Sequence, residues 1–243
     1  MVPFADPLLF AFMACVVFMA AIAQGVGGIG FAMVAAPIAA FFFPIMAPGP
    51  LLALGGFAAL LTSLRERGAI DLSIVGYALM GRAVGTLVAI YAMATLAPRL
   101  LTVLFAVSVL TAVGLSAAGL RVRAGAGAVS GAGLASGIMG TITSVGAPPI
   151  ALVLQNVAPA KLRATLGLIL FLGSIFSLSM LALAGRFGRV EALLSLSLLP
   201  FMLLGFTASG PLRHRLRPER VRTLLLCACA LSATGVLAKA VIQ

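Results

Sequence analysis

From Pro7 to Leu64 the chain carries no charged side chain, and a run of that length cannot cover the surface of a water-soluble domain. Charge-free windows recur at Leu100–Leu120, Ala164–Gly185 and Ala192–Leu212, each near the roughly 20 residues that a bilayer core requires. Composition agrees: 63% of residues are hydrophobic, 9% are charged and the mean hydropathy is +1.24, far from an ordinary globular domain. The runs are continuously apolar rather than alternating, which argues against a β-barrel. An all-α polytopic membrane protein is therefore expected.

The N-terminal "MVPFADPLLF" lacks the basic segment of a signal peptide, so the first apolar run is expected to stay in the mature protein. The longest polar connector, Arg213 to Arg222, holds little more than a turn. No soluble domain is expected, and function must lie within the bilayer. The net charge of +11 sits at the ends of apolar runs with no aromatic stacking platform beside it, so it sets membrane orientation and meets anionic lipid rather than nucleic acid. Cys15, Cys227 and Cys229 fall in apolar spans and read as small core residues, not as metal ligands or disulfides.

Cutting at charges and prolines gives segments near 3–23, 31–46, 51–64, 70–96, 100–120, 124–139, 147–157, 164–185, 190–212 and 223–241. About ten helical segments make two sets of five, in residues 1–123 and 124–243. Gly25 and Pro37 are echoed by Gly137 and Pro149 at an offset of 112, and "GAIDL" at Gly68 by "GRVEA" at Gly188 at an offset of 120. Five segments per set cross the membrane an odd number of times, so the second set is expected to be inverted. Tracing alternate sides groups Arg65, Arg67, Arg121, Arg123, Lys161, Arg163 and the five arginines of 213–222, against Arg99, Arg186, Arg189 and Lys239. The larger group belongs in the cytoplasm, with both termini outside the inner (cytoplasmic) membrane.

Each half opens on a glycine-rich stretch. In "AAIAQGVGGIGFAMVAAPI", four glycines fall in six positions, Gly25, Gly27, Gly28 and Gly30, and each penalises helix by up to ~1 kcal/mol. A helix break or re-entrant hairpin near the midplane is expected, with Pro37 as a further break. The second copy, "SGIMGTITSVGAPPIALVLQN", has Gly137, Gly140 and Gly146, then Pro148 and Pro149, and adds the hydroxyls of Thr141, Thr143 and Ser144. Unwound backbone at that depth must line a watery cavity or be buried in protein. Helices restarting there aim free N–H groups at a shared anion site, to which Gln24 and the three hydroxyls add donors. Gly25, Gly27 and Gly30 also match a dinucleotide fingerprint, but no strand, βαβ unit or later acidic residue accompanies them. Gly81/Gly85, Gly127/Gly131 and Gly133/Gly137 have the spacing of close helix packing.

"GGIGFAMVAAPI" and "SGIMGTITSVGAPPIALVL" together resemble the paired signatures of the TauE/SafE, or sulfite exporter, family of membrane permeases. The resemblance covers nearly the whole chain through Gly28, Gly30 and Pro37 in the first signature and Gly137, Gly140, Gly146 and Pro149 in the second. It implies movement of sulfite, organosulfonates or similar small sulfur-containing anions across the cytoplasmic membrane, by export. The chain departs from the family pattern at Thr143, Ser144 and Ala147, where glycine is common.

Arg82 lies eleven residues past Asp71, ~16 Å along a helix. Burial there costs at least ~2.5 kcal/mol on insertion scales, so the residue reads either as a substrate counter-charge or as a structural arginine bonding carbonyls at the breaks. Asp71 and Glu191 stand at equivalent helix starts, where a carboxylate complements the dipole. His214 falls in a basic loop and reads as solvated. Neither a nucleophile with its base nor a metal-ligand cluster is legible, so an enzyme, a cofactor and a metal are not expected. A secondary anion transporter is the leading reading, a non-transporting assembly subunit the alternative; the sequence says nothing of oligomeric state.

Overall fold

The computed structural model describes residues 7–117 and 125–212. The connector 213–222 with His214, the segment 223–241 with Cys227, Cys229 and Lys239, and Arg121 and Arg123 lie outside the described residues, as does the side chain of Arg99. Among the described residues the chain forms nine α-helices: α1 Pro7–Gly27, α2 Phe31–Phe42, α3 Gly49–Arg65, α4 Leu72–Thr95, α5 Pro98–Ala117, α6 Ala126–Thr143, α7 Ala147–Val153, α8 Pro159–Leu183 and α9 Arg189–Leu212. Each corresponds to one of the first nine apolar segments. Four of them, α1, α4, α8 and α9, are long and apolar enough to cross a membrane. At 12 and 7 residues, α2 and α7 rise about 18 and 10 Å, short of a bilayer core of ~30 Å.

Local chemistry sets the helix ends. The Asp71 carboxylate accepts from Ser73 N and Ile74 N, both at 3.1 Å, and so caps α4. Glu191, in the first turn of α9, reaches back to Gly188 N at 2.8 Å. Proline stands in the first turn of α3, α7 and α8, where its missing N–H has no helical partner to lose. Pro37 behaves otherwise: it lies inside α2, which continues to Phe42.

Packing pairs helices from the two halves of the chain: α4 lies on α6, α1 on α9 and α3 on α8, with α8 also against α4 and α9 against α3. Glycine makes the α4–α6 approach close. A Cβ at Gly81, Gly85, Gly133 or Gly137 would run into backbone of the facing helix, namely Ser130, Leu134, Ala78 and Arg82 respectively. Gly127 and Gly131 have open space where a Cβ would be, so that pair does not pack as its spacing suggests. Outward faces are apolar, with Tyr77, Met80, Val84, Leu87 and Tyr91 of α4 exposed, as lipid contact requires and water does not. Cys15 belongs to such a face, being free and exposed on α1 rather than in the core.

Candidate functional site

Both breaks form, and both are narrower than the glycine density predicts. Helix α1 runs through Gly25 and ends at Gly27, leaving only Gly28, Ile29 and Gly30 between it and α2. Gly28 has φ +77° and Gly30 φ +140°, conformations that disfavour a side chain. Gly25 lies within the helix, and it has to be glycine because a Cβ there would strike the Ser209 side chain of α9. Gln24 closes the gap, its Nε2 donating to Gly28 O at 3.0 Å and its Oε1 accepting from Phe31 N at 3.2 Å. Its amide thus satisfies backbone that the break exposes, which burial makes obligatory.

The second break spans Ser144 to Gly146. Ser144 adopts the left-handed conformation, φ 66°, and its N–H still bonds Gly140 O at 2.8 Å. Its hydroxyl donates to Pro48 O at 2.9 Å, at the start of α3. Thr143 is used locally, donating to Met139 O at 2.7 Å and accepting from Val145 N at 3.1 Å. Pro148 and Pro149 fall in the first turn of α7.

Between the breaks lies a cavity of about 40 Å³, far below the roughly 300–1,000 Å³ of sites for drug-sized ligands. Gln24, Gly30 and Phe31 line it from the first break, Ser144 and Gly146 from the second, and Arg82 from α4. Gly55 and Gly56 of α3 and Ser174 of α8 complete the wall. Gly25, Gly27, Gly28, Gly140, Thr141 and Thr143 do not line it; the Gly28 backbone is covered by the aliphatic part of Arg163.

Arg82 is 2% exposed. Its Nη1 donates to Ser136 Oγ at 2.6 Å, and that hydroxyl donates in turn to Gly146 O at 2.6 Å. Its Nε has no acceptor among the described residues. The described carboxylates are engaged elsewhere: Asp71 with Lys161, Glu66 with Arg163, and Glu191 with its own helix start. A buried guanidinium that lacks a counter-charge is a costly arrangement that a bound anion relieves. Gly140 and Gly146 both crowd the guanidinium, and Gly173 of α8 provides its seat, since a Cβ there would collide with Nε.

One turn along α4, Thr86 joins Thr141 of α6 and Ser177 of α8 in a buried triangle with oxygens 3.0–3.2 Å apart. Thr141 therefore serves this cluster rather than the cavity wall. The sequence reading did not single out Ser136, Gly173, Thr86, Ser174 or Ser177. Among the described residues no group of His, Cys, Asp and Glu could hold a metal ion.

A family model described as sulfite exporter TauE/SafE matches residues 13–236. Neither a curated protein nor a solved structure matches the chain.

Proposed function

The chain belongs to the TauE/SafE sulfite exporter family, and from that membership we propose that it is a permease carrying a small sulfur-containing anion, sulfite or an organosulfonate, past Arg82 by alternating access. The observation that carries this reading is the cavity itself: a buried arginine without a carboxylate partner among the described residues, set where two helix breaks meet. The start of α2 faces the same space and adds partial positive charge. Gly30, Ser144 and Gly146 line the substrate's path, Gln24 and Ser136 hold its walls, and export is the direction of net flux.

We further read residues 1–123 and 124–243 as an inverted repeat. Exchanging the halves turns α4 on α6 into α9 on α1, α4 on α8 into α9 on α3, and α3 on α8 into itself, all pairings that occur. Hydrogen bonds follow the same exchange. Arg65, closing α3, donates from Nη2 to Phe206 O of α9 at 3.0 Å, while Arg186, just past α8, donates from Nη2 to Met93 O of α4 at 2.6 Å. Such a repeat supplies two related access routes to one central site. From the family we read the inner membrane as the chain's location, and the basic residues favour both termini outside.

Counterflow of labelled sulfite into liposomes carrying the purified protein tests the proposal. Saturable exchange, lost in Arg82→Ala and reduced in Arg82→Lys, is the expected result. Absence of exchange with sulfite, taurine, sulfoacetate and thiosulfate from folded protein would overturn it and favour a non-transporting membrane subunit.

A further inference from the structure

Taking the Arg82 cavity as the anion site, on which this inference rests, we infer that it selects its ligand by charge and accepts the singly charged form of an oxyanion. The charge inventory around the cavity carries the argument. Arg82 is the one charged side chain lining it among the described residues. Neither α1, α2, α6 nor α7 contains a charged residue. Helix α4 adds no charge besides Arg82.

The remaining neighbours keep their charges at their ends. Arg65 closes α3 nine residues past Gly56, and Arg163 and Lys161 open α8 seven and nine residues before Leu170, the first residue of that helix to line the cavity, so their backbones stand roughly 10 Å or more away along their helices. Arg163 is moreover neutralised by Glu66, and Lys161 by Asp71. The Thr86, Thr141 and Ser177 hydroxyls donate among themselves and carry no charge.

A monoanion beside Arg82 forms a neutral pair with a guanidinium that is almost wholly buried. A dianion would leave one negative charge buried and uncompensated there, which is the expensive case. Hydrogensulfite and methanesulfonate meet the requirement, whereas sulfate and fully deprotonated sulfite do not. Because no titratable protein group other than Arg82 borders the cavity among the described residues, pH should act through the ligand.

Titration calorimetry of the purified full chain with methanesulfonate, sulfite and sulfate at about pH 6 and pH 8 tests this. Methanesulfonate, a monoanion at both values, should bind equally well at each. Sulfite should weaken by about tenfold for each pH unit above its second dissociation, because only the protonated form fits. Sulfate should bind at least about tenfold more weakly than methanesulfonate throughout. Sulfate matching methanesulfonate, or sulfite keeping its affinity at the higher pH, would overturn charge selection and leave the permease reading intact. A fall in methanesulfonate affinity parallel to that of sulfite would place the titration on the protein and equally overturn it. Binding of none of the three would remove the anion site and this inference together.

Discussion

The guanidinium of Arg82 occupies the space that a side chain at position 173 would fill. Gly173 is consequently a structural requirement of the arginine, imposed by α4 on α8. Gly173→Ala should insert and fold, since alanine favours helix over glycine by about 1 kcal/mol, yet displace Arg82. Anion affinity is expected to fall by roughly tenfold or more, a loss of at least 1.4 kcal/mol. Calorimetry alongside thermal unfolding in detergent checks both halves of that expectation; unchanged affinity would contradict it.

Ser136 links the arginine to the second break, accepting from Arg82 and donating to Gly146 O. Ser136→Ala removes both partners at once and strands a buried carbonyl, at a cost of about 1–3 kcal/mol. Ser136→Thr keeps the hydroxyl and should retain more affinity than the alanine variant. Equal stability and equal binding in wild type and Ser136→Ala would show the link to be dispensable.

Glu66 takes Arg163 in a two-pronged pair, Nε at 3.0 Å and Nη2 at 2.6 Å, while the Arg163 stem covers Gly28. Both side chains are less than 20% exposed, so the pair should couple more strongly than a surface ion pair. A double-mutant cycle with Glu66→Gln and Arg163→Gln is expected to give a coupling of about 1–3 kcal/mol. Unfolding in graded denaturant measures it, and additivity would deny the pair any role in holding the first break.

Asp71 lies outside the α4 span, where the hydrogen bond and charge of Lys161 and the N–H groups of Ile74 and Ser73 hold its carboxyl below the usual carboxylate range. A carboxyl depressed in the folded state binds its proton more weakly there than in the unfolded chain. Its stabilisation is therefore present above the ordinary aspartate value and is lost as pH falls towards the folded one. The pH dependence of thermal unfolding between about pH 6 and pH 3 should be shallower in Asp71→Asn, which keeps a capping oxygen but cannot titrate. Superimposable curves would refute the assignment.

Gly68 and Arg189 are exposed at opposite ends of the described helices. With the natural cysteines replaced, Gly68→Cys should react with an impermeant thiol reagent only from the cytoplasmic side and Arg189→Cys only from outside. The reverse pattern would invert the orientation drawn from the basic residues.

Helix positions were legible because the chain is punctuated by charge and proline, signals that act locally. The breaks were legible too, but their widths were not. Gly25 and Gly27 read as unwinding residues, yet both stay in α1; what Gly25 answers to is Ser209, some 180 residues later in the chain, whose side chain leaves no room for a Cβ. Pro37 similarly sits within its helix. Arg82 announced itself as a lone charge in an apolar span, whereas Gly173 and Ser136 look like any small residue until it is known which face of α8 and α6 meets α4. Gln24 reads as a donor for substrate, and only the geometry of Gly28 and Phe31 reveals what its amide is bonded to.

The interlocking of α4 with α6 bears on how the protein is made. Nine of the eighteen residues of α6 are Gly, Ser or Thr, a composition that lowers its own tendency to leave the insertion machinery for lipid. What α6 offers is a groove shaped to backbone that α4 already presents. Since α4 is synthesised first, a lesion in its glycine stripe is expected to be read out as failed insertion of a helix encoded downstream of it.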